Sequence, residues 1–392
     1  MTITTTPIHA LAERMSWARR TTRLDIDSTL SINDGATPMI FSDITAKGHE
    51  NVLFCHDKAT GLRAIIAVHN TTLGNALGGM RRWHYANEEE MIYDVLRLSE
   101  GMTYKAAAAD LPMGGAKTVM WTDSPDAQPT QAEAVAMAKF VDRLGGLYIA
   151  AEDIGVTTQY IDWMVPVTDH VMGGTSAEQG GDPSPYTAAG VVNGMRAGIR
   201  HAGLGDTFKG LTVAVQGLGA VGWKVCQAVH AEGGNLLVAD IRDDILEQAV
   251  TEFGATVVSV DEIVTAKSDV FCPCALGAVI GNGNIEKLQT KIIAGGANNV
   301  LIDPIEDGAL LKNKGVIYAP DFVINGGGLI RLAGLYSGFS PDEIDKRVAN
   351  IEHAIFEILE TTESGTTHDA AIRYAQKRLD AGHPLSATNS NA

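Results

Sequence analysis

The chain has 392 residues, 45% hydrophobic and 20% charged, a globular composition with length enough for two domains. Its formal net charge of −17 excludes a generalised nucleic-acid or anionic-membrane surface, because both need a basic footprint. No apolar run approaches the ~20 residues of a membrane helix. The four cysteines, Cys55, Cys226, Cys272 and Cys274, have neither Cys-x-x-Cys nor zinc-like spacing, so the expectation is a cytoplasmic protein with reduced thiols and no metal site.

Residues 1–45 carry little regular pattern and read as a polar extension; Arg14, Arg19, Arg20 and Arg23 among Ser and Thr give it a faint transit-peptide composition. NVLFC (51–55) and LRAIIAVHN (62–70) are strand-like, joined by a hairpin-sized polar loop. Asn87 caps a long helix whose first turn holds three glutamates, as the positive end of a helix dipole favours. Then come strand-like AKTVM (116–120), a helix at about 130–144, strand-like LYIAA (147–151) and a short helix near 157–165. The alternation predicts an α/β fold. GGTSAEQGGDPSPYT (173–187), rich in Gly, Ser and Pro, marks a domain boundary, and a helix follows over about 187–202.

The clearest local motif comes next. LTVAV (211–215) predicts a strand, GLGAVG a turn into a helix ending near Ala231, and NLLVAD (235–240) a second strand ending in Asp240. Gly217 permits the tight turn, Gly219 lets the backbone approach a pyrophosphate, and Gly222 packs helix on strand. Gly217, Leu218, Gly219, Ala220, Val221 and Gly222 are therefore expected to cradle a dinucleotide, with Asp240 and Ile241 at its ribose end. Asp240 favours NAD, because it repels a 2′-phosphate; nearby Arg242 makes that preference less strict. Strand-like SDVFCPCA (268–275), KIIAGGANN (291–299) and GVIYAPDFVINGGG (315–328) follow, then a long helix over 341–362 and a polar C-terminal stretch. Cys272 and Cys274 read as packing or backbone contacts, with Cys274 and Ala275 at a strand end along the dinucleotide.

The first half must then supply chemistry. Its candidate polar groups are Lys105, Lys117, Glu152, Asp153 and His84. Lys105 and Lys117 flank an alanine run ending in Gly114-Gly115, and two readings are open: solvated surface charges, or cations converging on one cleft. In the second case small apolar surroundings and a neighbouring cation lower a lysine's pKa towards neutrality.

TTLGNALGGMRRW, RLSEGMTYKAAAADLPMGGAK, AEDIGVT, DPSPYTAAGV, VAVQGLGAVG, CALGAVI, AGGANN and YAPDFVINGGGLI occur in that order. Together they resemble the amino-acid dehydrogenases of the leucine, phenylalanine and valine type, relatives of glutamate dehydrogenase, over about residues 47–380. The resemblance implies a substrate and oligomerisation domain over 46–182, rejoined by about 360–392, and a Rossmann-type NAD domain over 183–359 across a cleft. It implies that Lys105 holds the substrate α-carboxylate, that Lys117 is the general base, and that Asp153 relays protons to the amino group. Gly78 and Gly79 would line the substrate site, Thr187 would face the nicotinamide amide, and Asn298 or Asn299 would lie near nicotinamide and substrate. The side-chain pocket would be Leu77, Met113, Leu329 and Leu332, all uncharged, which disfavours glutamate.

The implied activity is reversible NAD-dependent deamination of a hydrophobic L-amino acid to its 2-oxo acid and ammonia, by a homo-oligomer. LIRLAG (329–334) resembles the phenylalanine enzymes, so aromatic substrates are favoured over branched-chain ones. A catalytically silent NAD-binding regulatory protein is the alternative of another class, and retention of Lys105, Lys117 and Asp153 argues against it. The pattern departs from the family at Ala116, where glycine is usual and a left-handed backbone would be strained, at the additional Arg82, read as solvated, and at Gly326.

Overall fold

The computed structural model describes residues 40–176, 180–275 and 277–382; the extension up to residue 39 and Leu276 of the CALGAVI motif lie outside these. Helix α1 (Ile40–Lys47) occupies the end of the segment expected to lack regular structure. Five strands follow: β1 (Asn51–Asp57), β2 (Leu62–Asn70), β3 (Ala76–Trp83), β4 (Gly114–Trp121) and β5 (Tyr148–Glu152). Their order is β1-β2-β4-β3-β5. β1 and β4 both run antiparallel to β2, whereas β3 runs parallel to its neighbours β4 and β5. β3 was not expected as a strand. Its glycine and arginine pairs break the alternation that marks a half-buried strand, and hydrogen bonding on both sides supplies what propensity does not.

Helices α2 (Glu88–Ala108), α3 (Gln131–Asp142) and α4 (Thr158–Met164) cover this sheet. The Asn87 side chain accepts from the Glu90 N–H and caps α2 as expected. Strand parity divides the faces. Ile66, Val68, Met80, Ala116 and Met120 pack with Ala134, Met137, Tyr160 and Ile161, whereas Ile65, Ala67 and Val119 pack with Met91, Val95 and Leu96 of α2.

β4 begins at Gly114, so the glycine pair lies inside the strand and not in a preceding turn. A Cβ on Gly115 would sit 2.1 Å from the Thr103 backbone nitrogen, so glycine here lets α2 lie directly on the strand. Ala116 is fully buried and absent from the positive-φ residues. Its methyl packs on the α3/α4 face, opposite to Lys117 by the period of two, so the expected strain does not arise. Arg82 is also not solvated: its side chain is 8% exposed and pairs with Glu133 at 2.8 Å.

The second sheet is reached through α5 (Ser184–His201). Its elements are β6 (Thr212–Gln216), α6 (Ala220–Ala231), β7 (Asn235–Ala239), α7 (Asp243–Phe253), β8 (Thr256–Val257), β9 (Val270–Pro273), α8 (Asn282–Ile285), β10 (Ile292–Ile293), α9 (Glu306–Lys314) and β11 (Ile317–Tyr318). The strands are parallel in the order β11-β10-β9-β6-β7-β8, which is the dinucleotide-binding order with its reversal between β6 and β9. After it come α10 (Asp321–Ile324), α11 (Gly327–Tyr336), α12 (Pro341–Ala349), α13 (Ile351–Glu360) and α14 (Thr367–Ala381).

The long helix expected over 341–362 is thus two helices meeting at Asn350, and the polar C-terminal stretch contains α14. α14 is opened by a capping box between Thr366 and Asp369. Its buried residues are small, Ala370, Ala371 and Ala375 with Leu379, a stripe too weak to announce a helix by hydrophobicity. They join a continuous core with Ala106–Ala108 of α2 and Ile330 and Ala333 of α11. Asp110, just beyond α2, is held by Arg378 of α14 at 2.7 Å and by Arg347 of α12 at 3.3 Å.

Gly115→Ala is expected to lower the urea-unfolding free energy by about 2 kcal/mol through overpacking against α2, whereas Ala116→Gly, which removes a methyl on the face opposite to Lys117, loses about 1 kcal/mol and leaves turnover unchanged.

Candidate active site

A cavity of about 520 Å³ opens at the ends of β3 and β5, between the first sheet and the 298–332 region of the second half. Strand register builds its floor. Met80 pairs with Glu152, which sets Arg81 beside Asp153, and Leu77 pairs with Gly115, which sets Gly79 beside Lys117. A Cβ on Gly79 would lie 2.9 Å from Asp153 Cβ and 2.6 Å from the Glu152 carbonyl oxygen, so only glycine leaves Asp153 where it is. Gly78 is as tightly constrained, its Cβ position falling on the Ala116 carbonyl oxygen.

Lys117 Nζ lies 2.8 Å from Asp153 Oδ2, with side-chain exposures of 8% and 20%. Arg81 Nε reaches the same oxygen at 3.2 Å. Burial pushes the Lys117 ammonium down; Asp153 opposes that fall and Arg81 adds to it. Burial alone would raise Asp153, but Lys117 and Arg81 outweigh it and hold the carboxyl below its usual range. Lys105, in the last turn of α2, is lowered to about 8 by burial, with Asp321 and Asp153 opposing and Lys117 reinforcing the shift. The two lysines therefore do converge on one cavity, lined by both.

Leu77, Gly78, Gly79, Asn298, Asn299, Leu329 and Leu332 complete the expected group around this cavity. Met113 does not line it: the side chain is buried in the shared core with Leu77, Leu111 and Met172. His84 stands apart, bonded through Nδ1 to the Thr122 carbonyl, and Glu152 turns one oxygen to the Gly174 N–H at 2.9 Å. The two asparagines differ. The Asn298 side-chain oxygen accepts from Asn325 Nδ2 at 2.7 Å, whereas Asn299 holds a left-handed φ of 51°. Arg81 and Ala151, which sequence reasoning did not assign to the site, also line the cavity. The signal for Arg81 was its parity with Gly79, one strand period away.

The second glycine cluster lies where the strand order reverses. Gly217 follows β6 with φ 91° and faces Ala275 beyond β9 so closely that a Cβ would lie 2.9 Å from the Ala275 nitrogen. Gly219 and Ala220 are exposed, α6 has no side-chain cap, and a Cβ on Gly219 would meet nothing within 4 Å. The helix start therefore presents free N–H groups to an open space, which suits a pyrophosphate. Gly222, Val221 and Cys274 back this turn: a Cβ on Gly222 would lie 3.2 Å from Cys274 Cβ, and the Cys274 sulfur is 3.5 Å from that of Cys272. Asp240 accepts the Leu218 N–H at 2.7 Å, and Arg242 Nε lies 3.1 Å from its other oxygen, while Ile241 is 68% exposed. Thr187, in the first turn of α5, donates to the Pro183 carbonyl at 3.3 Å.

Residues 49–170 match the family described as Glu/Leu/Phe/Val dehydrogenase, dimerisation domain, and residues 238–383 match Glutamate/Leucine/Phenylalanine/Valine dehydrogenase. The chain belongs to this family. It is an amino-acid dehydrogenase, an oxidoreductase of the class acting on CH–NH2 groups. A leucine dehydrogenase of Bacillus cereus is 43% identical over 343 residues, covering 87% of this chain and 93% of that protein. A phenylalanine dehydrogenase of Bacillus thermotolerans is 42% identical, covering 85% of this chain and 89% of its own. The crystal structure of L-tryptophan dehydrogenase from Nostoc punctiforme superposes with a TM-score of 0.78 at 39% identity, covering 87% of this chain and 98% of the other.

In this dehydrogenase, Asp153→Asn leaves the buried Lys117 ammonium without its partner carboxylate. The variant is expected to lose about 3 kcal/mol of unfolding free energy. Because Lys117 is then depressed further, the folded state binds fewer protons than the unfolded one, and the deficit grows as pH falls through the range where Lys117 charges; urea titrations at several pH values check this.

Proposed function

We propose that the enzyme catalyses the reversible oxidative deamination of a hydrophobic L-amino acid with NAD and water, giving the 2-oxo acid, ammonia and NADH. The observation that carries this reading is the Lys117–Asp153 pair at 2.8 Å, in a cavity that also holds Lys105. The residues present suit NAD: the 217–222 turn for the pyrophosphate, Asp240 and Ile241 for the adenosine ribose, Thr187 and Asn299 for the nicotinamide side, and Cys274 and Ala275 along the strand ends.

Bound NAD supplies the acceptor for the hydride that leaves the substrate Cα. The chain does the rest. The Lys105 ammonium pairs with the α-carboxylate. Neutral Lys117 takes a proton from the water that attacks the iminium carbon, which the lowered basicity of a buried lysine permits. Asp153 accepts a proton from the amine and returns one to the departing nitrogen as the carbinolamine collapses, and Lys117, having passed its first proton to solvent, takes the hydroxyl proton as the carbonyl forms. The Lys105 ammonium, and Lys117 once it has taken the proton, stabilise the developing negative oxygen.

Leu77, Ala151, Leu329 and Leu332 supply apolar lining, which penalises a γ-carboxylate and suits an aromatic side chain. A branched-chain substrate is the second reading, favoured by the identity to the Bacillus cereus leucine dehydrogenase. On the same reading residues 46–182 with 360–392 form the substrate domain, 183–359 form the NAD domain, and the enzyme works as a cytoplasmic homo-oligomer.

NAD reduction assayed across the twenty L-amino acids, with NADP in parallel, is expected to give turnover with aromatic or branched aliphatic substrates and none with glutamate. Lys117→Ala abolishes deamination while NAD still binds; normal turnover in that variant would sink the assignment. Lys105 gives a separate signature. Its ammonium is half lost near pH 8 in the free enzyme, and a bound carboxylate favours the charged form. Binding of a 2-oxo acid therefore takes up protons above pH 8, and calorimetry in buffers of different ionisation enthalpy shows the uptake in wild type and not in Lys105→Met.

A further inference from the structure

The proton relay carries a charge problem that its two named members do not solve. A base at Lys117 must be neutral for part of the cycle, and in that interval Asp153 loses the cation 2.8 Å away. A carboxylate left alone in this setting regains a proton and ceases to be a relay. Arg81 sits where a second cation is needed. Its Nε is 3.2 Å from Asp153 Oδ2, the same oxygen that Lys117 meets, and its side chain is 16% exposed. Its other end is fixed: Nη1 lies 3.0 Å from Asp94 Oδ2 on α2. Asp94 is itself held by the Tyr85 hydroxyl at 2.9 Å and by Arg97 at 3.1 Å. The result is a row of alternating charge, Lys117, Asp153, Arg81, Asp94 and Arg97, whose two ends both line the cavity.

Arg97 at the end of the row is 38% exposed, so the buried members are Lys117, Asp153, Arg81 and Asp94. With Lys117 protonated these four are balanced; with Lys117 neutral, Arg81 is the cation that remains on Asp153. The Arg81 guanidinium therefore disfavours the charged form of Lys117 and keeps Asp153 paired once that proton has left. We propose that Arg81 is a positioning residue of the proton relay, anchored on Asp94 so that Asp153 stays ionised and in place while Lys117 is neutral. The inference rests on the roles of Lys117 and Asp153 given above. The other titratable groups facing the pair are Lys105 and Asp94 from α2, Tyr148 from β5 and Tyr85 after β3. Arg81 is a guanidinium that stays charged across the working range.

The test is the pH dependence of kcat/KM for L-phenylalanine and L-leucine oxidation with NAD, in wild type, Arg81→Met, Arg81→Gln and Arg81→Lys. Removing the guanidinium leaves Lys117 as the one cation paired with Asp153 among the described residues and deletes a like charge beside Lys117, so Lys117 holds its proton to higher pH. Arg81→Met and Arg81→Gln are expected to move the rising limb of the profile by about one pH unit to the alkaline side. At pH 8 their kcat falls by up to tenfold, with the KM for NAD unchanged. Arg81→Lys restores the limb to its wild-type position. A neutral variant that binds NAD and keeps the wild-type limb overturns the proposal. So does a loss that is equal at every pH and is not relieved by lysine, since that is a structural effect. If Arg81→Met fails to fold, Arg81→Gln decides by the same criterion, because it retains polar contacts to both aspartates. If neither neutral variant folds, Arg81→Lys decides: a folded enzyme with a displaced limb overturns the proposal, and a wild-type limb supports it. Lys117→Ala in the same assay separates the two levels: turnover there removes the mechanism beneath, whereas a dead Lys117→Ala with unmoved Arg81 variants removes only the role of Arg81.

Discussion

The buried ion pair between Lys117 and Asp153 is the constraint on which the first half of the molecule depends. Taking two charges out of water costs several kcal/mol per ion, and their mutual attraction offsets this only when the geometry is close and the remaining polar atoms are satisfied. Much of the local sequence serves that geometry. Gly79 is small because Asp153 lies where its side chain would be. Gly115 is small because α2, which carries both Lys105 and Asp94, lies directly on β4. The parallel pairing of β3 with β4 and with β5 then sets Lys117 beside Gly79 and Asp153 beside Arg81, two residues further along β3, although they are far apart in sequence.

The second half repeats the logic with different chemistry. Its glycines create closeness between β6, the start of α6 and the end of β9, and leave an open space at Gly219 where the helix N–H groups are unpaired. Charge there is local: one carboxylate, Asp240, held by a backbone N–H and by Arg242. In a chain with a net charge of −17, the groups suited to an anionic ligand are thus backbone dipoles and a few placed cations. The halves share a core in which the alanine run of α2 meets α11 and α14, so the lysines at the ends of that run are tied to the C-terminal helices by packing as well as by the two arginines on Asp110.

The fold class and most of the residues that line the cavity could be read from residues in order, because glycine-rich turns and strand-end acids occupy fixed positions relative to the strands they follow. Other features could not. β3 is a strand because its neighbours supply hydrogen bonds, while its own residues break the alternation. α14 buries alanines, so its hydrophobic stripe is faint. Arg82 looked like surface charge, because nothing local shows that Glu133 lies against it. Ala116 looked strained, because a motif gives composition and not φ; in the strand its methyl points into the core. Arg81 escaped notice for the same reason: its function lies in the partners that register brings to it, and register is a property of the sheet.

The ionisation of Lys117 tests the account most directly. Isotope-edited NMR of its side chain, assigned by comparison with Lys117→Arg, follows the titration of the free enzyme. The account predicts a midpoint below the ordinary lysine range, as burial and Arg81 require against the pull of Asp153. A midpoint at or above the ordinary lysine value would contradict it, because Lys117 would then be a fixed cation and no base.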